Sequence, residues 1–330
     1  MLCKCWYDCS WKQISRTNSN DTFDNWNNTY HRWNNYSLII SQKYWKKEKR
    51  HMNTPFKFIK KKLADELPSE LLNIVPDKWE KIGEVLVLKL DDKLSDYKKI
   101  IGETYANFLN CKTVLNDIGG ITGILRKPDV EIIYGNSDTV TVHKENNVRY
   151  RLDPQKVMFS SGNMDERKRM SRISKPDEVV VDMFAGIGYF TLPIAVHSKP
   201  KKIYACEKNP ISFDFLRENI VLNNVVDIVE PLPGDNRKIA PKGVADRAIM
   251  GYIGDTQRFL PTAFRCLKDI GVIHFHDKYP EKQVPKNPLE TIKKEAEKYN
   301  LKTKMLNYRK VKSFAPGINH YVFDLKVEKK

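Results

Sequence analysis

The chain predicts an α/β fold, a doubly wound sheet with a small α+β module in front of it, and three observations lead there. Beyond about residue 178, short apolar runs alternate with segments of helical period, the grammar of a mostly parallel sheet covered on both faces. One such run, Val179-Val180-Val181, ends in Asp182 and passes straight into a glycine pair, Gly186 and Gly188. Upstream of residue 150 the strands are short and grouped, with one helix among them and no such alternation.

The first 53 residues stand apart. They contain no glycine or proline, five of the six tryptophans, and seven asparagines between Asn18 and Asn35, with neither a strand nor a helix period. An aromatic, basic arm able to stack on RNA bases is one reading. We prefer a low-complexity extension over residues 1–52, either disordered or a gene start placed too far upstream, with Met52 the true first residue.

Folded grammar begins near Thr54. Residues 56–67 alternate basic and apolar side chains at helical spacing until Pro68 stops them. Residues 81–90 hold a buried strand at Val85–Leu88, and residues 97–109 a helix with Ile100, Ile101, Tyr105 and Phe108 on one face. Strands at Val114-Leu115 and 131–134 follow. A hairpin then pairs 138–143 with Val148–Leu152 around Glu145-Asn146-Asn147. Residues 53–150 are thus a small α+β domain, expected to contact substrate.

Residues 151–330 form the second domain. Strands are expected at 178–182, 202–206, 228–231, 247–250 and 271–275, and helices at 190–196, Pro210–Leu222, 257–266 and 289–298. Strands at 302–311 and 321–327 close the chain. Residues 313–319 between them are too few for a crossover helix, so this last pair is antiparallel. A mostly parallel sheet with one antiparallel terminal strand is the Rossmann-type pattern of class I methyltransferases.

With 57 Lys+Arg against 41 Asp+Glu, the chain carries a net charge of +16. Only +5 of it lies in residues 1–52, so the basic excess belongs to the folded body as well and points to a polyanion, with nucleic acid first. No apolar run approaches the ~18 residues that cross a bilayer, and the beginning lacks the layout of a secretory signal. Cys111, Cys206 and Cys266 are isolated, while Cys3, Cys5 and Cys9 cluster without a second ligand pair at zinc spacing. A reducing cytoplasm is expected, with neither membrane nor metal as partner.

Glycine at a strand-to-helix turn lets backbone approach a ligand without a Cβ in the way. A nicotinamide site would add a third glycine, where this chain has Phe190-Thr191. Asp182 would sit badly beside a pyrophosphate but suits a cationic ammonium group, such as the methionine end of S-adenosylmethionine. Glu207, ending the next strand, is placed to accept hydrogen bonds from ribose hydroxyls. Asp235-Asn236, after the third, can grip an adenine edge. Any one of these acids could merely cap a turn; three in order, each after a strand, point to one nucleoside site.

On these residues the chain from residue 54 resembles the tRNA wybutosine-synthesizing protein 2 family, relatives of the tRNA (guanine-N1)-methyltransferases. The motifs are Phe159-Ser160-Ser161-Gly162-Asn163-Met164-Asp165-Glu166-Arg167-Lys168-Arg169-Met170, the Asp182–Gly188 loop, Asp246-Arg247-Ala248-Ile249-Met250-Gly251-Tyr252, and Ala315-Pro316-Gly317. The methylating relatives have Phe-Asn-Pro-Arg-Leu and Asn-Leu-Pro where this chain has Phe159-Ser160-Ser161-Gly162-Asn163 and Met250-Gly251-Tyr252. The resemblance implies transfer of the 3-amino-3-carboxypropyl group of S-adenosylmethionine to C7 of 4-demethylwyosine in tRNA-Phe; a monomer is expected. It implies Ser160, Arg167, Glu207, Asp235 and Asn236 as cofactor contacts beside Asp182, Gly186 and Gly188. Arg167 would hold the methionine carboxylate by a bidentate pair. Lys168 and Arg169 would face RNA or solvent.

A guanine-N1 methyltransferase with an altered site and an RNA-binding protein with a vestigial cofactor fold are the competing readings. His274 and His276 share one strand face and invite a metal reading, but no third ligand is visible and lining of the substrate cleft is preferred. Tyr252, Tyr279 and His320 could stack on an extruded base, with packing as the default for each. No general base can be named.

Overall fold

The computed structural model describes residues 55–123 and 125–330. The readings made for residues 1–52 lie outside the described residues. A helix, α1 (Pro55–Leu63), opens the described chain and is shorter than expected. Residues Lys62–Lys330 form one unit.

In that unit β1 (Glu80–Ile82) and β2 (Val85–Leu88) precede α2 (Lys98–Leu109), β3 (Thr113–Thr122) and β4 (Lys127–Gly135). The sheet order is β1-β2-β3-β4, with β2 and β3 parallel and the outer pairs antiparallel. α2 buries Ile101 and Tyr105, as its apolar stripe requires, but Ile100 and Phe108 are only half-buried. Next comes the hairpin of β5 (Thr141–Glu145) and β6 (Val148–Leu152), which forms a two-stranded sheet of its own. Asn146 and Asn147 both take positive φ in its two-residue turn, where asparagine is tolerated.

The remainder is the alternating part: α3 (Met164–Met170), β7 (Val179–Asp182), β8 (Lys202–Glu207), α4 (Pro210–Leu222), β9 (Val229–Pro233), β10 (Ala245–Met250), α5 (Leu260–Cys266), β11 (Leu267–Pro280), α6 (Lys286–Glu297), β12 (Leu301–Ala315) and β13 (Ile318–Lys329). They build a sheet of order β12-β13-β11-β10-β7-β8-β9, the class I methyltransferase-like, doubly wound fold expected. β11, β10, β7, β8 and β9 are mutually parallel, and β13 runs antiparallel to both neighbours. The antiparallel strand therefore lies inside the sheet, and β12 forms the edge. Successive residues of each central strand enter opposite apolar clusters: Val180, Ala205 and Ile249 on one face, Val181, Cys206 and Ala248 on the other. Burial on both faces explains why these strands read as continuous apolar runs.

The hairpin joins the two sheets. Toward the first, the Glu84 amide donates to Thr141 Oγ1 at 2.9 Å. Toward the second, Asn219 on α4 accepts from the Arg151 amide at 2.6 Å and donates to the carbonyls of Arg151 and Ile187 at 3.0 and 3.1 Å. Asn219 is fully buried, so each of these backbone groups depends on its amide. Asn219→Ala is expected to lower stability by about 2–4 kcal/mol, read as a fall in urea midpoint at unchanged slope. A midpoint matching the parent would show that the hairpin is not held this way.

Candidate active site

A cleft of about 360 Å³ opens at the carboxyl ends of β7, β8, β9 and β10, where open α/β sheets place their ligands. Six of the eight residues expected from the sequence line it: Ser160, Arg167, Gly186, Glu207, Asp235 and Asn236. Asp182 and Gly188 are absent from its lining.

The glycine loop explains that division. Asp182 is fully buried; its Oδ2 accepts from Thr191 Oγ1 at 2.7 Å and its Oδ1 from the Phe184 amide at 3.2 Å. Burial pushes its carboxyl up to about 6. It ties the loop to the segment that follows, and no part of it lines the cleft in which an ammonium group was expected to meet it. Gly188 (φ 102°) lets the chain turn past Leu192, whose side chain a Cβ would meet at 2.6 Å. Gly186 is in the cleft, and its amide donates to Glu207 Oε2 at 2.7 Å. Glu207 Oε1 accepts from the Asn209 amide at 2.6 Å. Burial raises this carboxyl also, so Glu207 gains from any further donor brought into the cleft.

Asp235 caps the one-turn helix Asn236–Ile239 and accepts from Arg237 Nε at 2.9 Å. The guanidinium beside it holds its carboxyl well below the usual range. Asn236 Nδ2 donates to the Met183 carbonyl at 2.8 Å, while its buried Oδ1 has no partner. Phe184, Tyr252 and Phe259 form an aromatic wall nearby, the first two stacked at 5.1 Å between centroids and Phe259 edge-on at 4.9 Å. Asp277 shapes the Gly251–Thr256 turn by accepting from the amides of Gly254 and Thr256, each at 2.9 Å. A buried carboxylate, an unpartnered amide oxygen and a flat apolar wall in one cleft fit an adenosine group.

The opposite end is built by α3. Arg167 is 2 % exposed, its Nε donating to Glu145 Oε1 and its Nη2 to Glu145 Oε2, while Nη1 donates to the Ser160 carbonyl at 2.8 Å. Its guanidinium lies 4.6 Å above the Phe159 ring. The bidentate partner is thus a residue of β5, not a ligand. Three of its five donors are committed, which leaves one on each Nη. Ser160 Oγ accepts from Lys312 Nζ at 2.7 Å. The basic run on α3 is not a solvated face: Glu166 is fully buried and Arg169 bonds to both Glu166 and Asp324, so only Lys168 is exposed.

Among the described residues no group of side chains is arranged to hold a metal. His274 bonds to Asp324 and accepts from Arg247 at 2.7 Å, whereas His276 and His320 line the cleft. Tyr252 also lines it; Tyr279 packs edge-on against Phe323 instead. Sequence reasoning missed Arg126, which reaches the cleft from the β3–β4 turn, donates to the Ile253 carbonyl at 2.6 Å and lies 5.2 Å over the Tyr252 ring. Nothing local marks it, because the contact joins residues 127 positions apart.

This fold and this cleft define a class I S-adenosylmethionine-dependent transferase. A family model for the TRM5/TYW2 methyltransferase domain matches residues 141–305, and one for the TYW2 N-terminal domain matches residues 59–139. The chain belongs to the tRNA wybutosine-synthesizing protein 2 family. It is 49% identical over 271 residues to the tRNA(Phe) (4-demethylwyosine(37)-C(7)) aminocarboxypropyltransferase of Pyrococcus horikoshii, covering 82% of this chain and 96% of that one. The protein of the same name from Methanocaldococcus jannaschii is 46% identical over 252 residues, 76% and 98% of the two chains. The crystal structure of P. horikoshii TYW2 in complex with MeSAdo superposes with a TM-score of 0.76 at 46% identity, covering 83% of this chain and all of that one.

The position of Asp182 yields a prediction. Asp182→Asn keeps an acceptor for the Phe184 amide, so affinity for S-adenosylmethionine is expected to stay within roughly threefold by calorimetry. A loss of tenfold or more, about 1.4 kcal/mol, would return Asp182 to the ligand.

Proposed function

We propose that this chain transfers the 3-amino-3-carboxypropyl group of S-adenosylmethionine to C7 of 4-demethylwyosine at position 37 of tRNA-Phe, releasing methylthioadenosine. The observation that carries this is the 49% identity, over nearly the whole of the relative, to a transferase bearing that name. When bound, S-adenosylmethionine supplies a sulfonium with three electrophilic carbons, and the carbon that faces the nucleophile sets the product. The chain's task is therefore orientation.

Glu207 would accept from the ribose hydroxyls, and Asn236 Oδ1 and the Asp235 turn would meet the adenine against Phe184 and Tyr252. Gly186 gives the ligand close access to backbone. The two uncommitted donors of Arg167, one on each Nη, would hold the amino acid carboxylate end-on, with Ser160 beside it. Asp182 and Gly188 support these groups from behind. The two domains would divide near residue 140, the hairpin going with the sheet whose helix it bonds. A basic body and the absence, among the described residues, of any helix long and apolar enough to cross a membrane suit a cytoplasmic monomer acting on tRNA.

Incubation with S-adenosylmethionine and tRNA-Phe carrying the tricyclic base, followed by mass identification of the nucleoside by-product, tests the reading. Methylthioadenosine is expected; S-adenosylhomocysteine would make the chain a methyltransferase, and neither product with intact tRNA binding would make it an RNA-binding protein. Asp235→Ala is expected to lower turnover at subsaturating cofactor by about tenfold, as loss of one charged ligand contact would.

A further inference from the structure

Alkylation of a ring carbon leaves a proton to be removed, and the proposed reaction names no acceptor for it. As C7 attacks, a ring π pair forms the new C–C bond and the C–S pair moves to sulfur, which becomes a neutral thioether. The positive charge passes from sulfonium to ring. The C7–H bond must then break, its electrons restoring the aromatic ring and its proton passing to a base.

Two histidines of the cleft lining, His276 and His320, are the candidates for that base. His276 on β11 and His320 on β13 are 1 % and 2 % exposed, and His276 Nδ1 lies 3.1 Å from His320 Nε2. Their outer nitrogens, His276 Nε2 and His320 Nδ1, are buried without hydrogen-bond partners. Unpaired ring nitrogens are costly in a folded core, and these two keep their capacity to take up or give a proton.

The tautomers follow from one neighbour. Glu166 on α3, fully buried, brings Oε1 to 3.8 Å from His276 Nε2. A carboxylate there favours a proton on Nε2 rather than a lone pair facing it. His276 Nδ1 is then the acceptor, His320 Nε2 carries the proton between the rings, and His320 Nδ1 is left with a bare lone pair. We propose that His320 Nδ1 accepts the proton released from the alkylated ring carbon, with His276 and Glu166 behind it as relay and counter-charge. This inference rests on the proposed aminocarboxypropyl transfer.

The surroundings keep the pair neutral and ready. Burial pushes both imidazoles down to about 3. Around His276, Arg169, His274 and Arg309 add to the depression and Asp324 opposes it; around His320, His276 and Lys312 add and Glu166 opposes. A base this weak serves because the cationic ring adduct is a strong acid, driven to lose its proton by regained aromaticity. As the proton arrives, the His320 Nε2 proton can pass to His276 and the His276 Nε2 proton can turn to Glu166. The charge that began on sulfur thus ends beside a carboxylate.

The test uses the full chain with C7-deuterated and C7-protonated tRNA substrate, and two variants, His320→Asn and His276→Asn. Expected is a fall in kcat of about a hundredfold for His320→Asn, the usual scale for a lost general base. A primary deuterium isotope effect should appear in the variant, with cofactor affinity by calorimetry within roughly threefold of the parent. His276→Asn should show the same isotope signature with a smaller loss. Turnover near the parental rate without an isotope effect, or a loss accounted for by cofactor affinity alone, overturns the assignment. Should both variants fail to fold, 15N imidazole spectra of the parent at pH 7 decide: His320 Nδ1 reporting a lone pair upholds the assignment, and a bound proton there overturns it. A parent that releases no methylthioadenosine sinks the reaction and the acceptor together; a parent that does, beside unaffected variants, sinks the acceptor alone.

Discussion

Two charged residues adjacent in sequence, Glu166 and Arg167, are both buried, and much of the second domain is arranged to make that possible. Burying an ion without a partner costs several kcal/mol, so each needs a counter-charge delivered by another element. Arg167 receives Glu145 from the hairpin, and Glu166 receives Arg169 from its own helix. Arg309 on β12 comes within 3.5 Å of Glu166, and Asp324 on β13 closes the group through Arg169. A seven-residue helix thereby fixes the hairpin and the far strands of the sheet at once. Removing one partner would leave another ion stranded, which couples positions more than a hundred residues apart.

The cleft inherits its geometry from that constraint. One end is set by strand ends and the glycine loop, as in other doubly wound sheets, and holds the groups suited to adenosine. The other end is set by α3, whose Arg167 is aimed by Glu145, the Ser160 carbonyl and the Phe159 ring together. The hairpin is therefore part of the active-site scaffold even though no hairpin residue lines the cleft. This also explains why strand pattern alone cannot assign the hairpin to one of the two domains: its strands pair only with each other, and its bonds to Asn219 and Asn223, in α4 and at its end, span some 70 residues.

Most of the fold was legible because burial on two faces leaves a trace in sequence. β7, β8 and β10 read as apolar runs for that reason, and α4 announces itself by Asn209 as cap and Pro210 at its first turn. The interior place of β13 was not legible, since register depends on which strand edge is free when the last hairpin folds back. The same limit applied to the site. Position after a strand was enough to put Glu207, Asp235 and Asn236 in the cleft, but not to show that Asp182 is sealed behind it. Arg169 read as facing RNA or solvent because its partner Asp324 lies 155 residues away. The histidines could be seen to share a face, yet only the fold brings His276 to His320 and Glu166.

In the proposed reaction the same buried ions would bear on the choice of transferred carbon. A guanidinium free to rotate could meet a carboxylate along either edge, and an amino acid tail held loosely would present methyl or methylene to the base with little preference. Arg167 has no such freedom: three of its donors are spent and its plane rests on an aromatic ring, which leaves one donor on each Nη of a fixed guanidinium. In the proposed reaction that guanidinium would hold the carboxylate and the wall of Phe184 and Tyr252 the adenosine, which restricts the carbon that the sulfonium between them presents. A misplacement of about 1 Å costs roughly a hundredfold in rate, which makes orientation sufficient to separate two products of one cofactor. Glu145 would then govern specificity without touching the ligand, through the plane of the arginine that does.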